Sequence, residues 1–330
     1  MEAALTNIKE VAKECGVSVA TVSRVFSGSD PVRPETRERV LAVAQRLGYS
    51  PNMLARGLKK ARTQTVGIII PSIDNSFYLG ILKQIEIILR KKGYRMLVSF
   101  LQHGGTSERD AISLMASSRV DALVFTPRDR SNADLIGALR ENTGLFQLFT
   151  DTYETIDSVT VDDAGGVREA VSLLLKEGHR RILYVGGDPR VSGYYSAYAD
   201  AGLTPEDGLV CLDWSADEAA VCRMIREKKP TAVFSVAGQS EKVWSAFRSL
   251  SLKVPEDVSL IVYDDSVWAR LLGITAVAHP LEEIAERLCE RIFLRLEGNE
   301  TAGEGGKITV SPFLIRRESV APSASGTGNQ

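Results

Sequence analysis

From Thr65 onward the chain repeats one pattern, a short run of branched and aromatic residues followed by an amphipathic stretch. The runs TVGIII, YRMLVSF, DALVFT, FQLFTD, RILYVGG, AVFSV and SLIVYDD read as buried strands. The segments YLGILKQIEIILRKKG, REAVSLLLKEG and EKVWSAFRSL read as helices. Strand then helix, repeated, closes as parallel sheet with helices on both faces, because parallel neighbours need a crossover between them. The repetition is too long for one sheet of ordinary size, so this part of the chain is expected to form more than one doubly wound α/β unit. Such sheets hold ligands beyond the C-terminal ends of their strands.

The first sixty residues do not share that pattern. They carry ten basic against six acidic side chains, while the whole chain of 330 residues has a net charge of -2. A basic end on an acidic body suits a polyanion partner for that end. Within it, Ile8, Val11, Ala12 and Cys15 fall at helical spacing, Thr6 can cap that helix, and Gly16 ends it. Ser18 is a natural N-cap for VATVSRVFS, in which Val22 and Val25 or Phe26 pack inward while Val19, Ala20, Thr21 and Arg24 lie on the other side. Two short helices at a tight glycine turn form either an ordinary helical hairpin or a helix-turn-helix. Pro34 at a first turn and Val40, Val43, Ala44 and Leu47 add a third helix that completes a small core, closed by Gly48. Pro51 then opens PNMLARGLKK, too short and too interrupted by Gly57 to be helical alone in water.

The stretches TNIKEVAKECGVSVATVSRVFSG, PETRERVLAVAQRLGYSPN and ARGL resemble the headpiece and hinge of the LacI family of bacterial repressors. The likeness continues through TVGIIIPSIDNSFYLGILKQIE, RVDALVFTP, VTVDDAGGVREAVSLLLKEGHRRILYVGG, VPEDVSLIVYDD and SPFLIRRES. The resemblance implies an all-α helix-turn-helix headpiece (1–50), a hinge helix and linker (51–62), and a periplasmic-binding-protein-like core of two doubly wound parallel-sheet subdomains. These are expected at 63–162 with 292–320, and at 163–291, before a flexible tail at 321–330. The implied function is sequence-specific, homodimeric repression of transcription at a palindromic double-stranded DNA operator, modulated by a sugar or sugar derivative between the subdomains. The other reading is a cytoplasmic small-molecule binding protein with a vestigial headpiece.

Val19 and Ala20 should face base edges in the major groove, where they would read thymine methyls or exclude bulk, since neither donates a hydrogen bond. Arg24 has the fork that matches guanine O6 and N7, or it holds a phosphate. Ser18, Thr21, Ser23 and Ser27 are candidates for backbone phosphates, with plain solvation of the helix as the other role for Thr21 and Ser23. Thr6 belongs to the same expected DNA surface. On the family's pattern Leu58 is the wedge at the central base step, Ala55 lies near the minor-groove floor, and Asn52 sits at a phosphate or at the start of the hinge helix.

The residues matched to the family's ligand cleft are Phe77, Tyr78, Asp151, Arg190, Phe234 and Asp264. Trp214 and Trp268 either extend its wall or pack elsewhere. Rings stack on a sugar face or a base, and Asp264 with Arg190 can bind hydroxyls or a carboxylate. The chain departs from the family in four places: Arg33 stands where a small N-cap is usual, NSFY replaces NPFF, Ala237 and Gly238 replace ND, and the loop DPRV is short.

Other functions are disfavoured by what the chain contains. It has no GxGxxG, no GxxxxGK[ST] and no nucleophile elbow, so no enzyme activity and no cofactor are expected. Cys15, Cys211, Cys222 and Cys289 lack metal spacing and read as buried thiols in a reducing compartment; His103, His179 and His279 also lack it, and His179 suits a dipole-stabilised or capping role at a helix end. MEAALTNIKE does not resemble a secretory leader, which points to the cytoplasm. APSASGTGNQ has no heptads for a tetramerising coil, so a dimer is expected. Leu58→Ala should leave the headpiece folded while reducing DNA bending and specific affinity, because the unstacking cost of a few kcal/mol is no longer offset. Circular-permutation gel shifts read the bend, and unchanged bending would remove the hinge assignment.

Overall fold

The computed structural model describes residues 7–27, 32–49, 62–73, 75–101, 107–187, 190–236, 238–298 and 305–323, with only the backbone of Ser27. The chain divides into two compact units, 1–63 and 64–330. The expected hinge helix, with Asn52, Ala55 and Leu58, falls outside the described residues, and so do Thr6 and Ala237.

Among its described residues the first unit has three helices, Ile8–Cys15, Val19–Ser27 and Pro34–Arg46. Each is too short to persist alone, so they are stabilised by a shared core. Val11, Ala12, Cys15, Val22, Val25, Val40 and Ala44 fill it, and Phe26 meets Tyr49 edge-on at 5.7 Å. The first helix is capped by Asn7, one residue later than the Thr6 reading. Asn7 Oδ1 accepts from the amides of Lys9 and Glu10, and Glu10 reaches back to the Asn7 amide. Gly16 takes φ 64°, which lets the chain reverse at the helix end and lets the Val17 amide donate to the Ala12 carbonyl. The third helix begins at Arg33 with no side-chain cap, as the sequence suggests.

The second unit holds two six-stranded sheets. In the first, the strands lie in the order Lys307–Val310, Asp157–Val161, Gly144–Leu148, Ala122–Phe125, Thr65–Ile70, Arg95–Phe100, all parallel. In the second the order is Phe313–Ile315, Thr275–Ala278, Ser259–Tyr263, Ala232–Val236, Ile182–Val185, Val210–Cys211, parallel except for Phe313–Ile315. Helices cover both faces of each sheet. In Thr65–Ile70, Ile68 packs with Ile85 and Leu288 on one side, and Ile69 with Ile112 and Met115 on the other. This double burial is why the strands read as unbroken apolar runs.

The lobe boundary differs from the sequence reading. A division at 291/292 would cut the helix Leu281–Glu297, whose Ile284, Ala285, Leu288, Cys289, Ile292 and Leu296 all pack in the first lobe's core. One apolar stripe faces one sheet, so the helix stays whole and the crossing comes before it. The chain then returns after Val310. Phe313–Ile315 pairs with Ala276–Ala278, and the Leu260 amide donates to the Ser319 carbonyl. Ala321 and Ser323, placed in the tail by the sequence reading, are held by hydrogen bonds to Ser259 and Glu177.

His179 has another role than the one expected. Its Nε2 lies 3.0 Å from the Ala321 carbonyl and must carry the hydrogen, so Nδ1 accepts from the Thr231 hydroxyl at 2.9 Å. Burial pushes its pKa down, and a neutral ring cannot stabilise a helix dipole. Arg180 does that work, donating to the Leu175 carbonyl at 2.8 Å. Among the described residues no helix is long and apolar enough to cross a membrane. Because the folded ring resists protonation, the unfolded chain binds protons more readily below pH 6.5, and the stability present above that pH is lost on acidification. His179→Gln should therefore flatten the loss of stability as the pH falls below about 6.5, read from urea melts of both proteins at each pH.

Candidate functional site

In the headpiece unit, the helix that begins at Val19 is fixed at its start and buried along one side. Ser18 Oγ accepts from the Thr21 amide at 3.1 Å and shares a 2.9 Å hydrogen bond with Thr21 Oγ1, which caps the helix as read. Val22 and Val25 are buried, and Arg37 donates to the Val25 carbonyl at 3.3 Å near the other end. What remains outward is Val19, 42% exposed, with Ala20 and Arg24 exposed and Thr21 and Ser23 half-buried. These five of the side chains read as DNA-facing thus lie wholly or partly exposed on a helix that cannot roll without emptying the core. The Ser18 and Thr21 hydroxyls are partly committed to each other, so they offer a phosphate fewer free positions than their number suggests.

The core unit has a second site, whose position follows from the crossings. The strands Asp157–Val161 and Lys307–Val310 end where the chain leaves the first sheet, at 162 and at 311–312. Thr275–Ala278 ends where it leaves the second, at 279–280. The C-terminal ends of both parallel sheets therefore lie at the crossings and face a shared cleft.

First-lobe residues bring rings to this place. Asn75 Oδ1 accepts from the Phe77 amide at 2.9 Å and caps the helix Ser76–Lys91, which presents Phe77 and Tyr78 at its first turn. Phe149, held at φ 65° just past a strand end, lies 4.8 Å from Phe77 and 6.2 Å from Tyr78. The second lobe brings charge. Arg190 pairs with Asp163 at 3.0 Å and lies 4.9 Å above the Tyr263 ring, while the Tyr263 hydroxyl donates to the other Asp163 oxygen at 2.6 Å. Burial and then the Asp163 charge push the Tyr263 phenol up, so it remains a donor. Burial pulls the Arg190 pKa down, but Asp163, Tyr263 and Asp264 outweigh it and the guanidinium stays charged.

Asp264 follows its strand with φ 81°, a conformation that costs a non-glycine residue about 1 kcal/mol or more. That turn brings Oδ1 to 3.0 Å from His279 Nε2. His279 lies on the crossing itself, with its ring 4.4 Å from Phe77 and 5.3 Å from Tyr263. Phe77, Asp264 and His279 also border a cavity of about 730 Å³ whose other walls include Arg270, Glu282, Glu286 and Phe313, and which Tyr78, Phe149, Asp163, Arg190 and Tyr263 do not line.

Four buried polar atoms just beyond strand ends have no hydrogen-bond partner among the described residues: Thr126 Oγ1, Arg190 Nε, Gln239 Oε1 and His279 Nδ1. Trp214 adds a half-exposed ring against Gly187, where a Cβ would collide with the indole, and its carbonyl accepts from Gln239 Nε2 at 2.7 Å. Rings beside unspent hydrogen-bonding groups suit a polar ligand with an apolar face.

Of the sequence-read cleft residues, Phe77, Tyr78, Arg190 and Asp264 come together, and two do not join them. Phe234 lies mid-strand, fully buried, with Tyr184 stacked on it at 5.8 Å. It belongs to the core because a central parallel strand is covered on both faces. Asp151 is half-exposed and pairs with Lys307 at 2.7 Å, an interaction that lowers its pKa. It lies three residues past the end of the strand Gly144–Leu148, and the ion pair with Lys307 engages its carboxylate. Trp268 likewise packs inward, 6.3 Å from Trp244. Sequence reasoning missed Asp163, Phe149, Tyr263 and His279. The acid opening the helix after VTV, and the His-Pro pair ending a strand, were the available signals.

The chain is similar to known proteins along most of its length. Residues 7–52 match the family described as bacterial regulatory proteins, lacI family, and residues 171–320 match the periplasmic binding protein-like domain. Catabolite control protein A of Priestia megaterium is 32% identical over 89% of this chain and 93% of its own length. The HTH-type transcriptional regulator GalR of Escherichia coli K12 is 30% identical over 96% of each chain. Among solved structures, the lac repressor dimer bound to operator and the anti-inducer ONPF superposes with TM-score 0.80 at 23% identity, covering 96% of this chain and 99% of that one. A complex of the transcriptional regulator CelR with cellobiose gives 0.67 at 27% identity, covering 96% and 100%.

If Arg190 and Asp163 act as one unit, Arg190→Met should cost about 2 kcal/mol, because it leaves a mostly buried carboxylate unpaired, and the double variant with Asp163→Asn should cost less than the two singles combined. Denaturant melts of the three variants give the coupling, and strict additivity would dissolve the unit.

Proposed function

The chain belongs to the LacI family of bacterial regulatory proteins, and on that premise we propose that it is a cytoplasmic repressor that binds a palindromic operator as a homodimer and is modulated by a small molecule held between the lobes of its core. The observation that carries this reading is the headpiece helix whose buried side is locked by Val22 and Val25 while Val19, Ala20 and Arg24 face outward. A short apolar pair next to an arginine is suited to reading methyl groups and a guanine edge in the major groove. Phosphates supply most of the affinity, and the excess of basic side chains in the first sixty residues favours them. The relatives named as transcriptional regulators support the same reading.

Modulation follows from the cleft. A ligand that touches Phe77 of one lobe and Asp264 or Arg190 of the other binds the two lobes best in one relative arrangement, and it shifts the population toward that arrangement. The cellobiose bound to CelR supports a sugar or related metabolite for this chain. Asn52, Ala55 and Leu58 are assigned to a hinge helix in the minor groove, and Ser18, Thr21, Ser23 and Ser27 to phosphates. The reading gives the chain no catalytic step and needs no cofactor. A small-molecule binding protein with a vestigial headpiece is the weaker reading, since such a headpiece would have no reason to keep a full core beneath an exposed recognition face.

Operator affinity should fall by on the order of 10³ between about 50 and 200 mM salt, as several phosphate contacts per half-site are lost. Arg24→Ala should cost about 1–3 kcal/mol on the cognate operator and relax preference at one base pair in each half-site. Fluorescence anisotropy across a set of single-base operator variants measures both; a uniform loss over all variants would move Arg24 from base to phosphate.

A further inference from the structure

We propose that a basic corner of the first lobe, built from Arg90, Lys91, Lys92 and Arg95, is a second DNA contact that holds the phosphate backbone while the headpiece reads the bases. The inference rests on the DNA-binding reading above and goes beyond it, because it gives the core, and not only the headpiece, a share in operator affinity.

The segment RKKGYR, 90–95, ends the helix Ser76–Lys91 and leads into the strand Arg95–Phe100 at the edge of the first sheet. Arg90, Lys91, Lys92 and Arg95 are all exposed, and Arg119 joins them just before the strand Ala122–Phe125, exposed and held at φ 50°. Arg90 and Lys91 suit the carbonyl end of their helix. Lys92, Arg95 and Arg119 lie outside any helix, so the helix dipole does not account for them. Lys92 Nζ lies 5.5 Å from the centre of the Phe293 ring, which Tyr94 meets at 5.7 Å, so the ammonium is held against this face. Few carboxylates oppose these cations among the described residues. Glu86 pairs with Arg90 at 3.5 Å at the surface, and Asp121 is buried and accepts from the Gln64 amide at 2.7 Å. Farther along the same sheet end, Glu141 and Glu297 are balanced in number by Arg140 and Arg295. The excess of positive charge therefore stays at one corner.

Position gives that charge its partner. The core unit begins at Gln64, and the Arg95 amide donates to the Gln64 carbonyl at 2.9 Å while Arg95 Nη2 donates to Thr65 Oγ1 at 3.3 Å. The cations thus surround the point at which the core is tethered to the headpiece. Fifteen residues carry the chain from Tyr49 to Gln64, at most about 50 Å of extended backbone. When the headpiece is on its operator, DNA is therefore confined near this corner at a local concentration on the order of 1 mM. Sequence-independent binding to phosphates reaches Kd values of about 0.1 mM or below at physiological salt, so a patch about tenfold weaker than that is still half occupied. Contacts of this kind add affinity and salt dependence, and they leave the choice of bases to the headpiece.

The test compares the full-length protein with two triple variants. Lys91→Gln with Lys92→Gln and Arg95→Gln empties the corner, and Arg223→Gln with Arg226→Gln and Lys229→Gln removes the same charge from an exposed helix end of the second lobe. The probes are an operator duplex selected from a random pool and a scrambled duplex of equal length, followed by fluorescence anisotropy from about 50 to 300 mM salt. The first-lobe variant should bind both duplexes about tenfold or more weakly at the lowest salt, with the slope of log affinity against log salt shallower by about one to three. Its preference for operator over scrambled DNA should stay within about twofold of wild type. The second-lobe variant should bind within about twofold of wild type, and Lys91→Arg with Lys92→Arg should keep full affinity, since the charge is retained. Circular dichroism melts and size-exclusion chromatography show that each variant folds and assembles. Full affinity in the first-lobe variant overturns the contact. Equal losses in the two triple variants also overturn it, because the loss then follows net charge and not position. So does a loss confined to the operator duplex, because phosphates carry no sequence. If the wild type selects no duplex from the pool, the DNA-binding reading itself falls, and this inference with it.

Discussion

Three backbone crossings, at 162, 279–280 and 311–312, tie the two sheets of the core together, and most of what the core can do depends on them. A single linker would leave the lobes free to drift apart, while a shared sheet would fuse them. Three strands of chain allow one lobe to move relative to the other along few directions. Because two of the crossings leave from the C-terminal ends of first-lobe strands and one from a second-lobe strand, the ligand-bearing ends of both parallel sheets are brought opposite each other. The same geometry explains why residues far apart in sequence, such as Phe77, Asp163, Arg190 and His279, form one site. Each lies one to seven residues beyond a strand end.

Within that cleft the charges are arranged to satisfy one another. Arg190, Asp163 and Tyr263 make a closed triangle of ion pair, hydrogen bond and cation–ring contact. Asp264 accepts a positive φ in order to reach His279. Buried groups of this kind are tolerable because they are paired, and breaking any one pair strands a charge. The polar atoms left without a partner at these strand ends, among the described residues, are Thr126 Oγ1, Arg190 Nε, Gln239 Oε1 and His279 Nδ1.

The headpiece solves a different problem with little material. Three helices of about two to four turns share a core of small aliphatic residues, and the glycine at 16 makes the turn that sets the second helix against the first. Since small domains have little stability to spare, nearly every apolar side chain on the inner face is needed there. The outward face is correspondingly free to vary. Within this one helix, Val22 and Val25 serve the fold while Val19, Ala20 and Arg24 are left facing outward.

Much of this was legible in the sequence. Helical spacing marked Val11, Val22 and Val40 as core, the Ser18 cap and the outward Val19, Ala20 and Arg24 followed from the same period, and the long apolar runs announced parallel strands. Those are local properties, set by side-chain chemistry at fixed intervals along the chain. Asp157–Val161 and Thr275–Ala278 were harder to see, because they are short and carry polar residues. The tertiary structure decided which lobe each returning segment joined, since the helix Leu281–Glu297 and the strand Phe313–Ile315 have periodicities that would suit either sheet. It also decided the membership of the cleft. Phe234 and Asp151 have side chains suited to a binding site, yet one is sealed mid-strand and the other is engaged by Lys307. Sequence order fixes what a residue can bond to, but its neighbours across the crossings determine what it does, and those neighbours exist only once the two sheets have closed on each other.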